Sequence, residues 1–172
     1  MKVNDFVIVV DSREKNPYLF ETMSIDKKLY RIPPVRRCLP SGDYSILGYE
    51  SEISLERKSV SDFIRSITYE RKRFEREIEK LTKIRRALVL VEGRFSDVIL
   101  SGGGVKSLIN SESITGTVAS WYVRYGIPFY FVAGREESEK FCFKILSKYY
   151  KYYRYNTEAD YPNAETLIDT IK

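Results

Sequence analysis

An unbroken apolar run, Phe6 to Val10, meets a wholly polar stretch at Asp11-Ser12-Arg13-Glu14-Lys15. A continuous β-branched run of this length predicts a strand buried on both faces. Polar residues just past the carboxyl end of such a strand lie where α/β sheets bind ligands. Pro17, Pro33, Pro34 and Pro40 interrupt the next segment, leaving room for only a short helix before Val35. Val35 to Leu47 reads as a second strand, broken near Pro40-Ser41-Gly42, and Ile53 to Lys58 as a third. Between them Gly48-Tyr49-Glu50-Ser51 predicts a hairpin turn. A turn centred on Tyr49-Glu50 sets Asp43 opposite Glu56. Strand alternation then puts Glu56 and Lys58 on one face and Leu55 and Arg57 on the other. A slip of one residue would undo this patch.

The pattern then turns helical. Ser59-Val60-Ser61-Asp62 has capping-box form, with Ser59 as N-cap and Asp62 reaching back. From Tyr69 to Ile84, Phe74, Ile78 and Leu81 recur at helical spacing. The other face mixes Arg71, Lys72, Arg73, Arg76 and Lys80 with Glu70, Glu75, Glu77 and Glu79, a pattern that suits i,i+4 pairs and also phosphate contact. Ala87 to Val91 is another buried strand, ending in Glu92-Gly93. Gly102-Gly103-Gly104 reads as a loop, and its spacing to Lys106 is wrong for a P-loop. Thr117 to Tyr125 is helical and closed by Gly126, with Trp121 in the core. Phe129 to Ala133 is a last strand. Glu137 to Tyr153 is a closing helix with Phe141, Ile145, Tyr149 and Tyr153 on one stripe, a surface for core packing or for a second copy. Strands alternating with helices imply an α/β fold, a mixed β-sheet flanked by helices. Residues 1–155 form one domain in this reading, and 156–172 a polar tail or extra helix.

Composition narrows the chemistry. The 172 residues are 43% apolar, enough for a real core, with no membrane-length apolar run and no signal peptide. Cys38 and Cys142 form no CxxC pair, which fits a reducing, cytoplasmic setting. The net charge of +5 suits a polyanionic partner. The absence of histidine matters more, because it removes His-based nucleases, Ser-His-Asp hydrolases and HExxH metalloenzymes together. Hydrolysis here must use carboxylates, lysine and a hard metal ion.

Asp43, Glu56 and Lys58 fit that chemistry. Phosphodiester hydrolysis calls for a metal that polarises the phosphate and activates water. Magnesium takes oxygen ligands, usually one or two carboxylates plus water and substrate. Asp43 and Glu56 supply the carboxylates. Lys58 can orient the water and stabilise developing negative charge. Asp11 could add a third carboxylate, with Glu14 nearby.

The string Gly42-Asp43, then Glu56-Arg57-Lys58-Ser59-Val60-Ser61-Asp62, resembles the GDX(n)ERKX(3)D motif of the XPF nuclease family, a branch of the PD-(D/E)xK superfamily. Val10-Asp11-Ser12-Arg13-Glu14 resembles the family's first-strand signature. Arg71, Arg73, Phe74 and Glu77 resemble its basic helix, and Leu90-Val91-Glu92-Gly93 and Ile127-Pro128-Phe129 its later strands. The similarity spans residues 5 to 150 and looks nearest to short bacterial and phage forms.

The resemblance implies a restriction-endonuclease-like fold and a magnesium-dependent DNA endonuclease in which manganese can substitute. It makes Asp11, Asp43 and Glu56 metal ligands and Lys58 the catalytic lysine. Arg57 and Asp62 shape the site, Glu14 supports it, and Arg13, Arg71 and Arg73 contact DNA. It implies homodimers and selectivity for branched, flap or junction DNA, in a bacterial, archaeal or phage-infected cell. It leaves repair, recombination, phage replication and junction resolution all open. Residues 156–172 are too few for the family's helix-hairpin-helix module, which puts the substrate preference in question. Two rival readings stand beside it: a non-catalytic DNA-binding partner of an active subunit, and a phosphodiesterase acting on RNA or small molecules.

Overall fold

The buried first strand sets the architecture. β1 (Ile8–Asp11) is buried at every position. Such a strand needs neighbours on both edges and cover on both faces. In the computed structural model, which describes residues 6–25, 27–103 and 110–153, β1 lies second in a six-stranded sheet. β4 (Val35–Arg37) pairs with it in parallel and β5 (Tyr44–Ile46) antiparallel. β6 (Ile53–Ser59) is antiparallel to β5, and β7 (Arg86–Glu92) and β8 (Phe129–Phe131) continue in parallel. The fold is therefore the expected α/β mixed sheet flanked by helices.

The faces divide by strand alternation. Val10, Tyr44, Leu55, Leu88 and Leu90 belong to one core cluster, with Cys142, Phe143 and Leu146 of α5 (Gly134–Tyr153). Val89 and Val91 belong to the other. That one holds Phe63 and Ile67 of α1 (Val60–Ile67), Phe74, Ile78 and Leu81 of α2 (Arg71–Leu81), Val98 of α3 (Phe95–Gly103), and Ile114 and Trp121 of α4 (Ser111–Tyr125). Trp121 is fully buried, as expected.

Several elements differ from the sequence reading. The stretch before Val35 holds a small hairpin, β2 (Met23–Ile25) with β3 (Lys28–Tyr30), in place of a short helix. Strands of three residues are too short to declare a period. Val35 to Leu47 is two strands on opposite edges of β1, and the Pro40-Ser41-Gly42 break carries the chain past the end of β1. There the Leu39 amide donates to Asp11 Oδ2 at 2.7 Å. Gly102 and Gly103 close α3, where a loop was expected, because burial of Val98 outweighs the poor helix propensity of glycine. Gly104 lies outside the described residues, as does 156–172. α4 begins at Ser111, capped by Asn110, and ends at Gly126, whose φ of 68° is the left-handed cap. The buried side of α5 is Cys142, Phe143, Leu146, Tyr149 and Tyr150, with Phe141, Ile145 and Tyr153 at its margin. A line drawn at every fourth residue drifts around a helix of 3.6 residues per turn, so the stripe is offset. Among the described residues no helix is long and apolar enough to cross a membrane.

Candidate active site

The carboxyl end of β1, the start of β5 and the end of β6 meet at one polar cavity of about 730 Å³. Asp11, Arg13, Glu14, Asp43, Glu56, Arg57, Lys58, Asp62 and Arg73 all line it. Tyr44 pairs with Leu55, which is the register that sets Asp43 opposite Glu56. Gly42 makes it possible. Its φ is +75°, and a Cβ there would collide with Ser54 Oγ. The tight turn lets the Asp43 amide donate to the Leu55 carbonyl at 2.7 Å.

Asp43 and Glu56 form an electrostatically stressed pair. Burial raises the Asp43 pKa well above the usual carboxylate range, and repulsion from Glu56 raises it further. The Arg57 amide opposes this by donating to Asp43 Oδ2 at 2.7 Å. Burial likewise raises Glu56, against the pull of Lys58. Lys58 Nζ lies 2.9 Å from Glu56 Oε1 and 3.4 Å from Glu77 Oε2, and 4.4 Å from the centre of the Phe74 ring. Burial alone would lower the Lys58 pKa, but the Glu56 and Glu77 carboxylates hold it above its ordinary value. Lys58 therefore stays charged.

Asp11 is on the same end of the sheet but is already occupied. Its Oδ1 accepts from the Arg13 amide and Nε at 2.8 and 2.7 Å. Its Oδ2 accepts from Arg13 Nη2 at 2.9 Å and from the Leu39 amide at 2.7 Å. Burial alone would raise its pKa, but these bonds outweigh that and lower it. Such a two-pronged pair is geometrically specific. Two half-buried carboxylates facing each other, short of positive charge, are a donor set that suits a hard divalent cation completed by water. Among the described residues no three His, Cys, Asp or Glu side chains stand close enough together to hold a metal. As folded, Asp43 and Glu56 are the pair that could take such an ion, while both oxygens of Asp11 are engaged by Arg13 and Leu39.

The other expected residues divide. Ser59 caps α1, its Oγ accepting from the Asp62 amide at 3.1 Å and donating to Asp62 Oδ2 at 2.7 Å. Asp62 thus reaches back to the cap hydroxyl. Glu14 accepts from Arg57 Nε and Nη2 at 3.4 and 3.2 Å. Arg73 reaches the cavity rim, exposed, with Glu70 and Glu77 beside it at 3.4 Å each. Arg71 does not. It turns toward α4, 3.3 Å from Glu75 and 3.3 Å from Thr117 Oγ1, with its guanidinium over Trp121. The i,i+4 pairs expected of this helix are therefore present. From the sequence, Glu77 and Lys80 stand only as members of the charged helix face, and Arg65 and Arg135 carry no expectation; all but Arg135 line the cavity. Glu77 sits three residues after Phe74, on the turn above Lys58, and helical spacing could have flagged it. Nothing in sequence spacing could have brought Arg135 to Glu92.

A model of the ERCC4 domain family matches residues 10–145. The chain belongs to this family. The expected membership in an XPF-type family is thereby borne out. This ERCC4 domain is 28% identical over 142 residues to a Methanocaldococcus jannaschii protein named as an ATP-dependent RNA helicase. The match covers 82% of this chain but only 15% of that protein. Among solved structures it is similar to XPF from Aeropyrum pernix, with a TM-score of 0.59 and 19% identity over 86% of this chain and 65% of that one. It is also similar to Aeropyrum pernix XPF in complex with DNA, with a TM-score of 0.60 and 19% identity over 90% and 70%. At such identity the likeness establishes the fold.

Proposed function

We propose that this ERCC4 domain is a magnesium-dependent DNA endonuclease that hydrolyses phosphodiester bonds in branched, flap or junction DNA. The observation that carries the reading is the meeting of Asp43 and Glu56 across β5 and β6, both raised in pKa, with the Lys58 ammonium 2.9 Å from Glu56. Asp43 and Glu56 would hold the ion, Asp11 would join them, and manganese would substitute. When bound, the ion polarises the phosphate and lowers the pKa of its water. The chain's own residues do the rest. Lys58 keeps its charge and offers it to the phosphate oxygens as negative charge builds. The Arg57 amide fixes the orientation of Asp43. Asp62 and Ser59 fix the start of α1 beside the cavity. Arg13 and Arg73, both exposed at the rim, supply phosphate contacts that hold the strand.

A homodimer belongs to the same reading. Tyr130 on edge strand β8 and Tyr152 on α5 are exposed, and both line one groove with Ile84, Leu88 and Ile127. Sedimentation at two concentrations tests this, and a monomer at both would refute it.

A fluorescent panel of flap, fork, four-way junction and plain duplex DNA, with matched RNA, tests the activity beside Glu56→Gln. Cleavage of branched DNA in magnesium, lost in the variant, is the expected result. A variant that cuts as fast as the parent would remove Glu56 from the site. A parent inert in both magnesium and manganese would leave a non-catalytic DNA-binding partner.

A further inference from the structure

Behind the site, four charged side chains close a ring: Glu14, Arg57 and Glu92 lie within the motifs already named, and Arg135 lies outside them. Arg57 Nη1 donates to Glu92 Oε2 at 2.9 Å, and Arg57 Nη2 donates to Glu14 Oε1 at 3.2 Å. Glu92 Oε1 accepts from Arg135 Nη1 at 3.2 Å. Arg135 Nη2 donates to the carbonyls of Asn16 and Pro17 at 2.9 and 2.7 Å. The Asn16 amide returns to Glu14 Oε1 at 2.6 Å, which completes the circuit. The ring joins the loop after β1, the ends of β6 and β7, and the first turn of α5. Its charges alternate and cancel. Arg57, Glu14 and Glu92 have side chains about one-tenth exposed, so their pairing is shielded from water. Arg135 is more open, at 38%, and it is the one member that holds both a carboxylate and loop backbone.

We infer that Arg135 is a positioning residue for the site, acting from α5 through Glu92 and Arg57 on Asp43 and through the Asn16 and Pro17 carbonyls on the loop that carries Glu14. The link to the chemistry is short. Arg57 is the residue whose amide holds Asp43 Oδ2. A guanidinium that can rock on its strand loosens that amide, and Asp43 loses its aim. Partners one step removed from ligating groups, as Arg57 is, commonly matter at roughly tenfold to a hundredfold in activity, and Arg135 bears on that partner through Glu92. Arginine is required because its planar fork serves two acceptors at once, which a lysine ammonium on a flexible stem does less well.

This inference rests on the nuclease reading for its kinetic arm only. Arg135→Ala and Arg135→Lys are compared with the parent in kcat and KM on the best-cut DNA. Amide hydrogen exchange of residues 14–16, 18 and 57 and the thermal midpoint are recorded in parallel. In Arg135→Ala, kcat should fall roughly tenfold to a hundredfold with KM unchanged, and exchange at these amides should speed up. Arg135→Lys should restore part of both. Combining Arg135→Ala with Glu92→Gln should cost little more than either alone, because the two act as one unit. A parental kcat in Arg135→Ala, or parental exchange at these amides, overturns the inference, whatever the thermal midpoint does. If the parent itself cuts no DNA, the nuclease reading fails and the exchange arm decides the positioning role by itself.

Discussion

Two consecutive residues of β6 live in opposite electrostatic worlds. Glu56 faces Asp43 on the side of α1 and α2, where two half-buried carboxylates share only Lys58 and both are pushed up in pKa. Arg57 faces α5, where each positive charge has a negative partner and the ring with Glu14, Glu92 and Arg135 closes on itself. One face is an arrangement that opposes folding until positive charge arrives. The other is a compensated network that holds the strand in place. Burial alone does not distinguish the two sets of charges, because both are half-buried. What distinguishes them is whether the protein supplies the compensating partner.

The comparison can be broken most sharply at Asp43. Asp43→Asn removes a carboxylate from the stressed face, so cleavage should fall by at least about a hundredfold while metal-free stability at neutral pH rises. Activity assays paired with urea unfolding check both, and a variant that is both active and less stable would reverse the assignment. On the compensated face the same kind of change should act oppositely. Arg57→Met leaves Glu14 without its cation and Glu92 with Arg135 alone, and should cost about 3–5 kcal/mol in unfolding free energy. Equal stability changes at Asp43 and Arg57 would erase the contrast.

Magnesium sharpens the picture further. At a hundredfold excess over its Kd it should stabilise the parent by about 2.7 kcal/mol and leave Asp43→Asn and Glu56→Gln nearly unaffected. The pH dependence has a definite sign. Asp43 is raised above its ordinary value of 3.8 and Glu56 above 4.5. Their contribution is fully present below those values and is lost as pH rises through the elevated folded values. Asp11 is lowered, so its contribution is present above 3.8 and is lost as pH falls through its depressed value. In the absence of metal, the stability of the parent relative to Asp43→Asn should therefore improve on acidification from neutrality toward pH 4 (urea titrations across that range would show it). The smallest effect lies at the rim. Arg73→Ala should reduce the slope of log affinity for DNA against log salt by about 1, whereas Arg71→Ala, turned toward Trp121, should leave it unchanged.

Much of this was legible in the chain. The buried run ending at Asp11, the Gly42-Asp43 turn and the alternation of Glu56 with Lys58 follow from periods of two and from turn chemistry, which are local. The register opposite Glu56 was legible too: the connection runs longer than the expected four-residue turn, over residues 47–52, but it keeps the same centre, so Tyr44 still meets Leu55. Less legible were the elements set by distant packing. α3 forms over glycines because Val98 is buried against helices far along the chain. The β2–β3 hairpin is too short to announce itself. The chain's crossing from β4 to β5 depends on which edges of β1 were free.

Sequence by itself thus determined the α/β class, the shared face of Asp43, Glu56 and Lys58, and the cap on α1, since each is written within one turn or one strand. Only tertiary structure decided that Asp11 is held by Arg13 and Leu39, that Glu77 supports Lys58, that Arg71 points away from the cavity, and that Arg135 reaches Glu92. These outcomes hinge on where a long side chain ends up among several charges. An arginine can span several ångströms in many directions, and local periodicity fixes where its strand or helix points but not which of several carboxylates its far end will meet.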